Sequence, residues 1–298
     1  MKKYYITTPI YYVNDKPHIG HAYTTILADT LSRFRTLIGE QSFFLTGLDE
    51  HGLKVQQAAE KNKVTPEVHC DTMAPAFIEL WEKLNINYSD FIRTTEKRHT
   101  IIVQDILKQV YENGDIYQDE YEGWYSISEE RFITEKEVES GLFGEAKKIK
   151  EKNYFFKMSK YQSELIKKIE SDELSIQPKS RKNEVLGFLK QELSDLCISR
   201  PKSRLEWGIE IPFDKDYVTY VWFDALINYI SAPKYSEDNK NFELHWPADV
   251  HLIGKDILTT HSVYWPTMLM SLNLPMPKAI FAHGWWLTDS EKMSKSLG

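Results

Sequence analysis

Two short motifs at opposite ends of the chain constrain its fold most strongly. His18-Ile19-Gly20-His21 lies near the N-terminus and Lys292-Met293-Ser294-Lys295-Ser296 lies near the C-terminus. Each suits a polyphosphate, because a helix N-terminus attracts anions and because two ammonium groups can bind one set of phosphate oxygens. If both motifs serve one ligand, the two ends of the chain must meet over a single site, and the ligand that we expect there is ATP.

The residues around the histidine pair predict a strand, a loop and a helix. Residues 4–8 are β-branched or aromatic, and Pro9 and Pro17 mark the loop that follows. After His21, apolar residues recur at steps of three and four until Gly39, which predicts a helix with both histidines on one face. This order is the Rossmann-type nucleotide arrangement without its usual run of glycines.

The rest of the chain extends this pattern and interrupts it once. Strand-like and helical segments alternate at both ends, whereas the middle contains short aromatic segments and charged helices, so the sequence predicts an α/β fold with a Rossmann-type parallel sheet and an α+β connective insertion. We assign residues 1–117 to the first half of the Rossmann-type domain, 118–217 to the insertion and 218–298 to the second half. The predicted strands are 4–8, 42–46, 250–253 and 279–282, and the predicted helices include 53–61, 67–84, 163–170, 183–191 and 257–271.

Composition excludes several classes of protein. A chain of 298 residues that is 42% hydrophobic and has a net charge of −7 is a globular protein and does not bind nucleic acid through overall basicity. Two basic clusters, at residues 147–152 and 179–182, are each better interpreted as solvated faces than as RNA contacts. Two cysteines are too few for a disulfide framework or a zinc knuckle. Without a bilayer-length apolar run or a signal-peptide core, we expect a cytoplasmic protein that binds no membrane.

The two motifs, together with the sequence around them, resemble those of class I aminoacyl-tRNA synthetases of the bacterial methionyl type. The match covers residues 1–298 and includes the HIGH motif at His18 and the KMSKS motif at Lys292. The further matching blocks are Thr8-Pro9-Ile10-Tyr11-Tyr12-Val13-Asn14, Gly47-Leu48-Asp49-Glu50-His51-Gly52, Val221-Trp222-Phe223-Asp224-Ala225, Gly254-Lys255-Asp256-Ile257 and Ala282-His283-Gly284-Trp285.

The resemblance implies an activity and a set of site residues. The activity would be methionine–tRNA ligation, in which ATP with Mg²⁺ converts L-methionine to methionyl-adenylate and pyrophosphate, and the methionyl group then passes to the 3′ end of tRNA(Met). The implied catalytic residues are His18, His21, Lys292 and Lys295. The implied ATP site is His18, Gly20, His21, Gly254, Asp256, His283, Gly284, Lys292 and Lys295. The implied methionine site is Ile10, Tyr12, Asp49, Trp222, Ala225, Tyr229, Ile257 and His261.

Individual roles follow from the same resemblance. Asp49 would pair with the substrate ammonium, and Trp222, Ala225 and Tyr229 would share a helical face around the thioether. His261 would approach the sulfur or a tyrosine hydroxyl as a neutral imidazole.

The chain departs from the family pattern at two places. The region 123–131 has no Cys-x-x-Cys pair, with Ser126 and Glu129 at the corresponding positions, so we expect no structural zinc and no metal ligands. The sequence also stops at Gly298, where relatives continue into a helical anticodon-binding domain, so we expect that domain to be absent and tRNA to be a partner of the complete protein.

Two other functions remain open at this point. A sister synthetase for leucine, isoleucine or valine would share both ATP motifs, although such enzymes carry a longer editing insertion than about a hundred residues allow. A non-catalytic RNA-binding protein derived from a synthetase would have lost the phosphate-binding residues, whereas His18, His21, Lys292 and Lys295 are all present.

Overall fold

A parallel sheet begins in the first third of the chain, where strands alternate with helices. The structure is a computed structural model that describes residues 2–126, 131–133, 135–141, 144–288 and 291–292. Its first elements confirm the predicted alternation, and they are β1 (Lys3–Tyr12), α1 (Ile19–Leu37), β2 (Gln41–Asp49), α2 (Leu53–Lys61), α3 (Pro66–Lys83), β3 (Asp90–Arg93) and α4 (Lys97–Glu112).

The middle third is built mainly from antiparallel strands. One sheet has the order β5-β4-β6-β8 and another has the order β10-β11-β9. A turn of 3₁₀ helix at Met158–Tyr161 precedes α6. The elements are β4 (Ile116–Ser126), β5 (Arg131–Ile133), α5 (Glu135–Ser140), β6 (Ala146–Phe156), α6 (Gln162–Glu170), β7 (Ser175–Gln177), α7 (Lys179–Phe188), β8 (Leu196–Cys197), β9 (Ser199–Pro201), β10 (Glu210–Ile211) and β11 (Asp214–Thr219).

The last third returns to the parallel sheet. Its elements are α8 (Val221–Leu226), α9 (Asn228–Ser231), α10 (Asn239–His245), β12 (Val250–Gly254), α11 (Trp265–Ser271), β13 (Ala279–His283), β14 (Leu287–Thr288) and β15 (Glu291–Lys292).

The prediction of one continuous α-helix over residues 257–271 is wrong, because the helical type changes along the segment. The segment is a 3₁₀ turn at Lys255–Ile257, a π-helical turn at Thr260–Tyr264 and then α11. Pro266, in the first turn of α11, has no N–H to donate to a carbonyl in the preceding turn, which accounts for a change of helical register there.

The main sheet joins the two ends of the chain. Its strand order is β3-β2-β1-β12-β13-β7, so β1 lies between β2 from the first third and β12 from the last third. All of these pairings are parallel. The strand order runs from β1 through β2 to β3 on one side and through β12 to β13 on the other, and in open α/β sheets the carboxyl ends of strands at such a switch point form a ligand crevice.

Edge strand β7 lies in the main sheet, although the predicted domain boundaries assign its residues to the insertion. β7 belongs to the predicted insertion 118–217, yet it pairs with β13 through Ile176 and Ile280. A three-residue strand with a single fully buried residue, Ile176, is too short to carry a period-two pattern in the sequence. The insertion therefore contributes one strand to the main sheet, and the rest of the domain division stays a prediction.

The two basic clusters face carboxylates. On β6, the ammonium groups of Lys148 and Lys150 lie 3.4 and 3.0 Å from Glu122 and Glu120 of β4. In the second cluster, Lys182 lies 2.7 Å from Asp172. These ion pairs favour the interpretation of both clusters as solvated faces.

Among the described residues, no helix combines the length and the apolar character that a membrane span requires.

Helix α4 connects the main sheet to the rest of the core through one apolar face. Its residues at three- and four-residue spacing are fully buried, and they are Ile102, Val103, Ile106, Leu107 and Val110. Ile101 lies on the opposite face and is 36% exposed.

Replacing Ile106 by alanine should lower the free energy of unfolding by roughly 2–5 kcal/mol, because a buried side chain is lost and a cavity remains. Ile101→Ala is the matched control on the same helix and should change stability by less than about 1 kcal/mol. Urea unfolding followed by circular dichroism measures both. Equal losses in the two variants would contradict the assigned buried face.

Candidate active site

A cavity of about 620 Å³ opens at the carboxyl ends of β1, β2, β12 and β13. Every predicted site residue whose side chain the structure describes lines this cavity. From the predicted methionine site these are Ile10, Tyr12, Asp49, Trp222, Ala225, Tyr229, Ile257 and His261. From the predicted ATP site they are His18, Gly20, His21, Gly254, Asp256, His283 and Gly284.

Strand register places several of these residues side by side. Tyr12 at the end of β1 is the direct neighbour of Asp49 at the end of β2. Gly254 at the end of β12 is the direct neighbour of His283 at the end of β13. The sheet itself thus brings together residues that are far apart in the sequence.

The two histidines of the N-terminal motif form the cap of helix α1. His18 is the N-cap residue, and its Nδ1 accepts a hydrogen bond from the backbone N–H of Gly20 at 3.0 Å. The Nδ1 of His21 accepts one from the backbone N–H of His18 at 3.3 Å. A Cβ on Gly20 would lie 2.9 Å from the His18 ring, so glycine allows this arrangement. Because both Nδ1 atoms accept, the proton of each neutral imidazole is on Nε2.

Buried aromatic rings support this histidine pair. The ring centroids of His18 and His21 are 3.7 Å apart in a stacked arrangement. The ring of His21 also lies 4.6 Å from that of Tyr11 and 5.7 Å from that of Phe77. The Tyr11 hydroxyl bonds Thr25 of α1 at 2.7 Å, and burial raises the pKa of this phenol to about 12. Tyr11 therefore stays neutral and fixes the start of α1 against β1.

A second contact connects α1 to the opposite side of the cavity. Oγ1 of Thr24 lies 2.7 Å from Nε2 of His283, and Nδ1 of His283 lies 2.8 Å from the carbonyl oxygen of Gly284. Tyr23 packs edge-on against His283 and against Trp286, with ring centroids 4.9 and 5.5 Å apart. The first and last thirds of the chain thus meet through side chains as well as through β1 and β12.

Asp256 lies at the exposed edge of the cavity beside a tryptophan. The Trp285 Nε1–H donates to Oδ1 of Asp256 at 3.3 Å, and the ammonium of Lys255 lies 3.6 Å from the centroid of the Trp285 ring. A Cβ on Gly254 would lie 2.6 Å from Oδ1 of Asp256, so glycine leaves space for this carboxylate. Asp256 thus has a defined position at the cavity edge.

Tyr229 and His261 form a buried, neutral pair in the cavity wall. Nε2 of His261 lies 2.7 Å from the Tyr229 hydroxyl, and Nδ1 of His261 lies 2.9 Å from the carbonyl oxygen of Ile257. Burial lowers the pKa of His261 to about 4 and raises that of Tyr229 far above its ordinary value. In the neutral imidazole, Nδ1–H therefore donates to Ile257 and Nε2 accepts from Tyr229, which is the tyrosine contact expected for His261.

A buried carboxylate joins the loop after Asp49 to the helices behind the cavity. Asp224 of α8 lies 2.6 Å from Nδ1 of His51 and 2.7 Å from Nε2 of His99, whose other ring nitrogen lies 2.7 Å from Oγ of Ser231. Burial alone would raise the pKa of Asp224, but the attraction and hydrogen bonds of the two histidines outweigh it and lower the pKa. Asp224 thus remains ionised between two imidazoles.

Of the two lysines of the C-terminal motif, Lys292 lies within the described residues and Lys295 does not. Lys292 ends β15, which pairs with β14 through Leu287. Lys295 lies outside the described residues, and so does Glu129, the position expected to replace a zinc ligand. Among the described residues, no group of three or more histidine, cysteine, aspartate or glutamate side chains could hold a metal ion.

Several residues in the cavity wall were missed by the sequence analysis. Tyr11 and Trp285 fall inside quoted sequence blocks, and Asn228 follows Ala225 by three residues, a spacing that places residues on one helical face. Thr24 lies outside every quoted block, so the sequence did not point to it as a site residue. The additional lining residues are Pro9, Tyr11, Asn14, Ile19, Thr24, Lys54, Leu226, Asn228, Trp285 and Trp286.

The family model for tRNA synthetases class I (M) matches residues 4–141 and 139–298. The chain belongs to this family. Methionine–tRNA ligase of Clostridium acetobutylicum is 52% identical over 303 residues, which include 100% of this chain, and that of Bacillus subtilis is 47% identical over 312 residues. This chain spans 47% of the length of each relative, or about half.

Solved members of the class I family share the fold. Methionyl-tRNA synthetase of Mycobacterium tuberculosis in complex with methionyl-adenylate superposes with a TM-score of 0.94 at 42% identity, over 99% of this chain and 60% of that one. The ligand-free form of the same enzyme superposes with a TM-score of 0.80 over 96% of this chain and 56% of that one. The parallel six-stranded sheet is therefore that of a class I synthetase catalytic domain.

The low pKa of His261 predicts a pH dependence of stability. Between the ordinary value of 6.5 and about 4, the unfolded chain binds a proton that the folded chain does not, so stability falls as pH drops through this range, by roughly 3 kcal/mol for this group. In His261→Gln the loss of unfolding free energy between about pH 7 and about pH 4 should be smaller by that amount. Urea unfolding at several pH values measures it, and the burial of His251 leaves a remaining loss in both proteins.

A direct titration complements the unfolding data. The imidazole carbon resonances of His261 should titrate near pH 4 in the folded protein. A midpoint near the ordinary histidine value would show that the ring is not buried as described.

Proposed function

We propose that this chain activates L-methionine with ATP, forming methionyl-adenylate and releasing pyrophosphate, as the first step of methionine–tRNA ligation. The main support is that both predicted subsites line a single cavity at the switch point of the sheet. Further support comes from the solved relative in complex with methionyl-adenylate, which superposes over 99% of this chain.

The amino acid would occupy the part of the cavity lined by Tyr12, Asp49, Trp222, Ala225 and Tyr229. The Asp49 carboxylate is buried, and a buried carboxylate is strongly stabilised by a cation, which suits the substrate ammonium. The thioether would lie against Ile10, Trp222, Ala225, Tyr229, Ile257 and His261.

The wall around the thioether is neutral and largely apolar. Because the pKa of His261 lies near 4, the wall presents a neutral imidazole with its hydrogen bonds satisfied by Tyr229 and Ile257. A flexible, polarizable side chain gains dispersion energy in such a site, whereas a charged side chain would lose its hydration.

The nucleotide would occupy the other side of the cavity. His18 and His21, at the N-terminus of α1, would donate from Nε2 to the phosphates, and the helix dipole adds to the attraction. Asp256 would accept from a ribose hydroxyl, while Gly254, His283 and Gly284 would border the adenosine. The KMSKS lysines, Lys292 and Lys295, would approach the phosphates from the C-terminal motif.

The reaction needs positioning and charge stabilisation only. A carboxylate oxygen of methionine attacks the α-phosphorus, a new P–O bond forms, the bond from the α-phosphorus to the bridging oxygen breaks, and pyrophosphate leaves with the electron pair. His18, His21, Lys292 and Lys295 would stabilise the charge that develops on the phosphates. Transfer of the methionyl group to the 3′ end of tRNA(Met) would follow as the second step.

Mg²⁺ would enter as the counter-ion of ATP. This ion keeps several waters and usually takes phosphate oxygens with only one or two carboxylates, so it needs no cluster of protein ligands. The acidic residues among those that line the cavity are Asp49 and Asp256. Of the two, only Asp256 would lie on the nucleotide side.

Exchange of labelled pyrophosphate into ATP tests the proposed reaction. The exchange should depend on L-methionine and should not occur with leucine, isoleucine or valine. Exchange driven by a branched aliphatic amino acid would instead identify a sister synthetase, and absence of exchange with every amino acid would contradict the proposal.

His21→Ala should lower the rate of methionine-dependent exchange roughly a hundredfold, because one donor aimed at the transferring phosphate is lost. The KM for methionine should change by less than about threefold, since His21 is assigned to the nucleotide side. His245→Ala, outside the cavity, is the matched control and should retain full activity. A large increase in the KM for methionine would mean that the two subsites are misassigned.

Asp49→Asn should weaken the binding of methionine and leave that of ATP nearly unchanged. Loss of the charge should raise the Kd for methionine roughly tenfold to a hundredfold in calorimetry, while the KM for ATP stays nearly constant. Asp105→Asn replaces an exposed carboxylate of α4 in the same way and should change neither value. Unaltered methionine binding by Asp49→Asn would remove Asp49 from the site.

A further inference from the structure

One side chain in the cavity wall has a hydrogen-bonding capacity that the fold does not use. Asn228 is the first residue of α9, is 1% exposed and lines the cavity. Its Nδ2 donates to the carbonyl oxygen of Ala225 at 2.7 Å, which fixes the orientation of the amide. The other amide atom, Oδ1, is buried and accepts no hydrogen bond from the described residues.

An unsatisfied buried acceptor is costly in a native protein. Leaving it without a partner costs roughly 1–3 kcal/mol, so native structures usually provide a donor from protein, water or ligand. Because Asn228 lines the cavity, a bound ligand can supply that donor. The amide oxygen of Asn228, which has no partner among the described residues, is therefore informative about the ligand.

The neighbours of Asn228 place it on the amino-acid side of the cavity. It lies one residue before Tyr229 and three residues after Ala225, both of which are assigned to the amino-acid subsite. Burial raises the pKa of Tyr229, and a hydrogen bond donated by the Asn228 amide N–H opposes this increase, so the amide lies beside the phenol and its oxygen is not used in that contact. The Tyr229 hydroxyl in turn bonds His261 at 2.7 Å.

The chemistry of the amino acid identifies the donor. Zwitterionic methionine has a carboxylate and a thioether, which only accept, and an ammonium group, which is its only hydrogen-bond donor. An acceptor in this subsite can therefore be satisfied by the ligand only through its ammonium. Asp49 would neutralise that charge but does not use all three N–H groups.

We propose that the amide oxygen of Asn228 accepts a hydrogen bond from the ammonium of the bound amino acid and so helps to orient its carboxylate. This inference rests on the proposed methionine activation. Asn228 is then a specificity-determining residue that rejects ligands without an α-ammonium.

Calorimetry with three ligands tests the contact. L-methionine and L-methioninol both carry the ammonium, whereas des-amino methionine carries the same thioether and carboxylate without it. Asn228→Leu is close in size and removes the acceptor, and the Ala225 carbonyl retains the hydrogen bond from the Ile227 N–H. The Kd values for methionine and methioninol should rise roughly tenfold to a hundredfold, and the Kd for des-amino methionine should change by less than about threefold.

Three further variants complete the test. Asn241→Leu is the matched control, since Asn241 also donates Nδ2 to a carbonyl, that of Pro233 at 2.9 Å, but lies outside the cavity. It should leave all three affinities unchanged. Asn228→Asp keeps an acceptor and should retain methionine affinity within about tenfold. If Asn228→Leu does not fold, Asn228→Ala adds no atoms and gives the same comparison.

The outcomes separate the inference from the proposed function. Weakening of all three ligands by the same factor, or of none, would overturn the ammonium contact while the wild-type chain still binds methionine. Failure of the wild-type chain to bind methionine would instead overturn the proposed function.

Discussion

The parallel pairing of β1 with β12 is the constraint on which the rest of the structure depends. Ile6 pairs with Val250 and Thr7 with His251, so residues separated by most of the chain become neighbours in one sheet. The Thr7 hydroxyl also lies 2.8 Å from Nδ1 of His251. Because β2 and β12 lie on opposite sides of β1, the carboxyl ends of β1, β2, β12 and β13 border one crevice. Without this pairing, the two predicted subsites would have no common cavity.

Much of this arrangement could be predicted from the sequence. The strand before His18, the helix after it and helix α2 follow from periodicity, and the members of the predicted subsites were found through local blocks of sequence. The register that places Tyr12 beside Asp49 and Gly254 beside His283 could not be predicted, since it depends on long-range pairing. Edge strand β7 has three residues, which are too few to show the alternation of apolar and polar residues that predicts a strand.

The missed side chains share a physical reason. Tyr11 contributes through a ring beside His21 and Thr24 through a bond to His283, and both partners are brought close only by the folded chain. Asn228 carries a local signal, because it follows Ala225 by three residues, a spacing typical of one helical face. Sequence patterns thus find residues that act on a ligand from a motif, and they miss residues that act through a tertiary contact.

The two sides of the cavity differ in the charge that they can stabilise. On the side proposed for the amino acid, burial keeps His261 and Tyr229 neutral, and such a wall can discriminate by shape and by desolvation, which would suit a thioether. On the side proposed for the nucleotide, His18 and Asp256 are exposed at a helix N-terminus and at the cavity edge, where solvent and the helix dipole can stabilise an anion's charge. The proposed reaction between a bound carboxylate and a phosphate would need both environments, since the first would select the nucleophile and the second would accommodate the charge of the leaving group.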